Sequence, residues 1–152
     1  MKVAAHVVDT QTLVWFAMGL LPKLSRSVYQ RLTGGGVCIV VPSYVLEEIQ
    51  IKFPSANRRP KDVPIPPTAL LRVLHQCSNA RLLPRGEAIL AREFKLDRMR
   101  RERKIDIDVQ DIPIAAAVLV VRDYHSGPTI LVTSDQKLGR WASGINLSVI
   151  WS

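Results

Sequence analysis

Short aliphatic runs alternate along this chain with stretches in which apolar side chains recur every three or four positions, a pattern of strands separated by helices. The run from Val3 to Val8 predicts the first strand. Thr10 is placed to cap a short helix that offers Leu13, Val14, Phe16 and Ala17 to a core and is broken by Gly19 and Pro22. Ser25 suits the N-cap of a second helix through Val28 and Leu32, ended by the glycines at 34–36. A second strand is predicted over 37–41, followed by a helix opened by Pro42 and Ser43 and carrying Val45, Leu46, Ile49 and Phe53. Residues 54–67, rich in proline and basic side chains, read as an exposed loop. A helix through Leu70, Leu71, Val73 and Leu74 comes next, then a short strand over 80–83 and a helix from near Gly86 that includes Ile89, Leu90 and Phe94. The almost wholly aliphatic stretch Ile112 to Val121 predicts a central buried helix, and Pro113, tolerated only in a first turn, makes it start close to Asp111. The last strands fall at 129–132 and 147–151, with a helix between them around Lys137 to Trp141. Such alternation implies an α/β domain on a mainly parallel sheet. No repeat or linker divides the 152 residues, a length suited to one domain, 1–152, that buries roughly two thirds of its unfolded surface.

Acidic residues punctuate this pattern. Asp9 closes the first run, Asp135 follows the run 130–134, Glu48 lies just past the second strand, and Asp111 opens the aliphatic helix. In an open parallel sheet the carboxyl ends of the strands share one edge, where ligands bind. Carboxylates gathered there repel by about 4 kcal/mol per pair at about 4 Å and an effective dielectric near 20, which a hard divalent cation would offset. Asp9, Asp111 and Asp135 also have a plainer reading, because aspartate at a helix N-terminus is stabilising in its own right. Glu48 lies inside a helix and has no capping role; its plainer reading is an exposed face position.

Charge extends the picture. The net charge is +8 and the isoelectric point about 10.0, favouring a polyanionic partner. If the carboxylates are gathered in one place, the remaining surface is more basic still. Lys95, Arg98, Arg100, Arg101, Arg103 and Lys104 form the densest basic stretch, interrupted only by Asp97 and Glu102 among charged residues; it is either a contact for a polyanion or a solvated helix face. Other chemistries lack their residues. Cys38 and Cys77 fit neither metal-ligand spacing nor a disulfide framework, and His6, His75 and His125 stand apart. The glycines at 34–36 precede a strand and lack the Lys-Ser/Thr of a phosphate loop, so they read as a turn. No apolar run approaches the roughly 18 residues of a membrane span, and Asp9 interrupts what would be a signal sequence, so the chain reads as cytoplasmic.

The ordered motifs resemble a known family. Val7-Val8-Asp9-Thr10-Gln11-Thr12-Leu13-Val14-Trp15 is similar to the opening of PIN-domain ribonucleases, particularly the VapC-type toxins of toxin–antitoxin pairs, and Pro22-Lys23-Leu24-Ser25 to the stretch that follows. The segment 43–52 resembles the second motif and selects Glu48, with Glu47 as its rival. Asp108-Val109-Gln110-Asp111 followed by Ile114-Ala115-Ala116-Ala117 resembles the third, Leu131-Val132-Thr133-Ser134-Asp135 the fourth, and Val149-Ile150-Trp151 the closing strand. The resemblance spans essentially the whole chain and implies a three-layer α/β/α domain. It implies catalytic Asp9, Glu48, Asp111 and Asp135. Asp9, Asp111 and Asp135 would be metal ligands for Mg²⁺ or Mn²⁺, with Glu48 acting directly or through water. Thr10 and Thr133 would support them. RNA would be the substrate, a small antitoxin the partner, and a homodimer the assembly. The third motif departs from the usual Asp-Pro-x-Asp-Arg, with Val109 for the proline and Ile112 for the arginine, which leaves Asp108 and the nearby Asp106 as alternatives to Asp111. It also keeps open a catalytically weakened nucleic-acid- or antitoxin-binding protein. A haloacid-dehalogenase-like phosphatase would need aspartate where Gln11 stands.

Overall fold

The computed structural model describes residues 3–18, 26–34, 36–48 and 79–152. The elements are β1 (Ala4–Val8), α1 (Thr10–Met18), α2 (Arg26–Thr33), β2 (Val37–Pro42), a helix over 43–48 (α3), β3 (Ala80–Leu83), α4 (Glu87–Arg101), a 3₁₀ turn (Val109–Asp111), α5 (Ile112–Tyr124), β4 (Thr129–Thr133), α6 (Gln136–Gly144) and β5 (Ser148–Trp151). The loop expected over 54–67, the helix through Leu70 to Leu74, Ser25, His75 and Cys77 lie outside the described residues.

The five strands are ordered β3-β2-β1-β4-β5, and every pairing is parallel, so the sheet is parallel throughout. In the central strands β1 and β4 nearly every residue is buried. Since successive strand side chains point to opposite faces, helices must cover both sides, which is why these strands read as unbroken aliphatic runs. The outer strands β3 and β5 are more exposed.

α5 is the spine of the core: all ten residues from Ile112 to Val121 are buried, and Pro113 occupies the first turn, where no intrahelical N–H is needed. α4 packs along it through Ile89 and Leu96, leaving Leu90 and Phe94 exposed to solvent. Cys38 is a free, half-buried thiol packed against the core. His6 is fully buried in β1; its Nε2 accepts from Arg31 Nε at 2.8 Å while Nδ1 faces the Ala4 carbonyl at 3.3 Å. The Arg31 bond requires a neutral ring with its proton on Nδ1, and burial lowers the ring's proton affinity accordingly. Among the described residues no helix is long and apolar enough to cross a membrane.

Strand order reverses between β1 and β4. In a parallel α/β sheet that is where the strand ends open into a crevice. The register sets the crevice floor: Val8 pairs with Val132, and the Asp9 N–H reaches the Val132 carbonyl at 3.3 Å, so Asp9 and Thr133 leave the sheet side by side.

The far edge depends on a close approach between α6 and β5. A Cβ at Gly139 would fall 2.2 Å from the Trp151 ring. Gly139→Ala should therefore cost roughly 1–3 kcal/mol by overpacking, read as a lower urea midpoint. In a Trp151→Ala background the same change should be close to neutral; losses that simply add would disprove the contact.

Candidate metal centre

At the end of β1, Asp9 Oδ1 accepts the Thr12 backbone N–H at 2.8 Å, so Asp9, and not Thr10, caps α1. The sequence expectation is displaced by one residue because a cap side chain reaches the N–H three positions on. Thr10 sits in the first helical turn, and its buried hydroxyl has no hydrogen-bond partner among the described residues. The second Asp9 oxygen accepts the Thr133 hydroxyl, which itself accepts the Asp135 N–H at 3.0 Å. With its lone pair engaged by that N–H, Thr133 turns its proton to Asp9. Asp135 caps α6 through Oδ1, which accepts the Leu138 N–H at 2.8 Å.

Asp111 ends the 3₁₀ turn and occupies the cap position of α5, yet its side chain makes no capping bond. Its Oδ2 is buried without a hydrogen-bond partner among the described residues. Burial, and then the charges of Asp135, Asp9, Asp108 and Glu48, push its pKa up to about 7. Burial also raises the Asp9 pKa, against the opposing bonds from Thr12 and Thr133. Asp108, Asp111 and Asp135 each place one carboxylate oxygen within 4.8 Å of the others. Asp9 stands just outside this trio. Asp108 is a member of it alongside Asp111, so the structure brings both aspartates to the same place. Asp106 is exposed and lies 3.7 Å from Lys137, while Lys137 also reaches Asp108 at 3.1 Å.

Glu48 approaches from α3 and contributes to the field at Asp111. The Tyr44 hydroxyl, one turn earlier, hydrogen-bonds to it, and burial followed by the Glu48 charge pushes the Tyr44 pKa up to about 12. The Arg85 guanidinium lies 5.5 Å from the Tyr44 ring centroid and is held by the buried Glu93, with Nε to Oε2 at 2.7 Å. Arg85 also stands 3.9 Å from Glu47, whereas it is the charge of Glu48 that reaches Asp111. The i, i+4 spacing of Tyr44 and Glu48 was a usable signal for their contact; nothing in the sequence marks Arg85 or Glu93.

The basic stretch is largely paired within itself. Arg100 and Arg101 both bind Asp97, and Arg98 and Lys104 both bind Glu102. Of its six cations only Lys95 and Arg103 have no ion pair among the described residues.

An orphaned buried oxygen within a group of three carboxylates fits a hard divalent cation, for which an all-oxygen donor set is suited. The sign of the pH dependence follows from Asp111. Its folded pKa lies above the unfolded value of 3.8, so between pH 4 and 7 the folded state holds a proton the unfolded state has released, and stability falls as pH rises through that window. Asp111→Asn should remove much of the fall and raise the melting temperature of the metal-free protein at pH 8 by about 3 °C or more, the shift for about 1 kcal/mol in a domain of this size. Parallel melting curves for both proteins from pH 4 to 8 would refute the crowding.

No protein-family model and no curated protein matches the chain. Solved structures do match over nearly its whole length. A chain of the VapBC2 complex from Rickettsia felis, bound to a promoter DNA fragment, superposes with a TM-score of 0.64 at 15% identity, covering 97% of this chain and 98% of that one. A chain of DNA-bound VapBC from Salmonella typhimurium gives 0.61 at 16% identity, covering 99% and 98%. A chain of a toxin–antitoxin complex from Klebsiella pneumoniae gives 0.55 at 19% identity, covering 95% of each. The chain has the α/β fold of the PIN-domain toxins seen in VapBC complexes, as its sequence motifs implied.

Proposed function

We propose that this chain, a single PIN-like domain over 1–152, is a metal-dependent endoribonuclease and the toxin of a toxin–antitoxin pair, working in the cytoplasm as a homodimer. The observation that carries this reading is the unpartnered carboxylate oxygen of Asp111 beside Asp108 and Asp135 at the switch point of the sheet. Asp111 and Asp135 would hold Mg²⁺ or Mn²⁺, with Asp108 completing the trio, Asp9 alongside as a further ligand, and Glu48 acting directly or through water. When bound, the cation lowers the pKa of a water and offsets charge at the scissile phosphate.

The protein's own groups supply order. Thr133 and the Thr12 N–H fix both Asp9 oxygens, so this carboxylate cannot rotate away from its neighbours. Tyr44, steadied by Arg85, holds Glu48. Near pH 7 the Asp111 carboxyl retains a proton part of the time and must release it to become a ligand, so cation binding should strengthen as pH rises through 7. The basic surface around Lys95 to Lys104 supports RNA as the substrate. An antitoxin partner is supported by the fold, since the similar chains come from toxin–antitoxin complexes.

A second reading is a PIN-like module that binds RNA or an antitoxin with a weakened site. It is favoured by Lys137, whose ammonium already sits on Asp108, and by Val109 and Ile112 in the third motif. The decisive test is cleavage of a mixed RNA pool with Mg²⁺ or Mn²⁺. The wild-type chain should cleave, and Asp9→Asn and Asp111→Asn should each lose about 100-fold or more, the scale on which a lost ligand or its support acts. Equal cleavage by all three proteins would sink the metal-site reading. RNA binding without metal-dependent cleavage by the wild type would favour the module.

A further inference from the structure

Beside the acidic trio lies a cleft of about 620 Å³. Its charged lining is Arg100, Arg103, Lys104 and Lys137 against Asp106 and Asp108. Asp108 belongs both to this cleft and to the trio, so the two sites share a wall. Arg103 sets the cleft apart from an ordinary solvated helix end. α4 ends in a Schellman turn: the Lys104 N–H reaches the Met99 carbonyl at 2.9 Å and the Arg103 N–H reaches the Arg100 carbonyl at 3.0 Å. Arg103 occupies the left-handed position of that turn, with φ of 59°, a place that glycine fills without strain and a side chain does not. It is exposed, lines the cleft and has no ion pair or side-chain hydrogen bond among the described residues, whereas Arg100, Lys104 and Lys137 each have an acidic partner. A strained backbone retained for an unpaired cation points to what the side chain does.

We propose that this cleft is a subsite for a backbone phosphate of a single-stranded RNA next to the one at the acidic centre, and that Arg103 is its principal contact. The identity of the strand rests on the ribonuclease reading; the cleft and its phosphate chemistry do not. Polyanion binding here is a matter of neutralising one phosphate with an unpaired guanidinium, while the paired cations add field without having to leave their partners.

The test is binding of a fluorescein-labelled 12-nucleotide oligouridylate in EDTA, where nothing is cleaved, with urea unfolding alongside. Arg103→Gly should raise the urea midpoint by relieving the turn. It should also weaken RNA binding roughly three- to tenfold and reduce the slope of log K against log salt by about 0.7, one single-strand phosphate contact. Arg103→Lys should keep most of the affinity with no gain in stability. Arg26→Gln, which removes an exposed cation of α2 that does not line the cleft, should leave both readouts near wild type. Wild-type affinity and salt slope in Arg103→Gly would overturn the proposal, as would an equal loss in Arg26→Gln or no RNA binding by the wild type. A loss confined to a fluorescent polyglutamate probe would instead make the cleft a site for an acidic peptide. A wild type that binds RNA through Arg103 yet cleaves nothing with Mg²⁺ or Mn²⁺ would retain the cleft and discard the nuclease.

Discussion

Carboxylates brought within a few ångströms of one another must bind protons, gain a cation or move apart, since each close pair costs about 4 kcal/mol at about 4 Å under partial screening. In this protein the third way out is closed. Asp9 is fixed at both oxygens, Asp135 is tied to the start of α6, and Asp111 stands at the head of a helix whose first ten residues are buried. The repulsion is therefore held in place, and burial together with it pushes the Asp111 pKa up to about 7.

What keeps the group together is an ordinary parallel sheet with its strand ends in register. The pairing of Val8 with Val132 sets the ends of β1 and β4 level, and the Thr133 hydroxyl then links the N–H of Asp135 to the carboxylate of Asp9. Capping and crowding turn out to be compatible. A cap engages one oxygen of Asp135 while its carboxylate still stands within 4.8 Å of Asp108 and Asp111, and Asp111 holds the cap position without making the bond. An aspartate that declines a stabilising hydrogen bond at a helix end is better evidence for a ligand role than one that makes it.

Much of this was legible along the chain. The aliphatic runs marked the strands to within a residue or two because both faces of β1 and β4 are buried, and Pro113 fixed the start of α5. The four acidic positions could be placed at one sheet edge because strand ends in a parallel sheet share it. The pairing of Asp108 with Asp111 could not be read the same way. It depends on the turn over Val109–Asp111 being 3₁₀, in which residues three apart eclipse; in sequence the two aspartates looked like competitors for one role. The support of Glu48 was hidden for a different reason: Arg85, held by Glu93, reaches Tyr44 from the other side of a segment more than thirty-five residues long. The basic stretch was visible as a count of charges, but which of them are free depends on helix rotation, which places Asp97 and Glu102 among their neighbours.

That last distinction changes the meaning of the net charge of +8. Internal pairing along α4 leaves little loose positive charge on that helix, so the attraction for a polyanion is weighted towards the cleft that Arg103 and Lys137 share with Asp108. A cationic wall and an acidic wall then stand side by side with opposite signs. On the ribonuclease reading, the rim draws in the phosphates while the bare centre repels the one that must be cut, and a divalent cation at the centre reverses that repulsion. RNA and the cation should therefore bind with positive coupling, each tightening the other by the same factor, as reciprocal linkage requires. Lys137 limits the size of that coupling: by resting on Asp108 it neutralises part of the centre in advance, so the cation has less repulsion to remove than five crowded carboxyls alone would present.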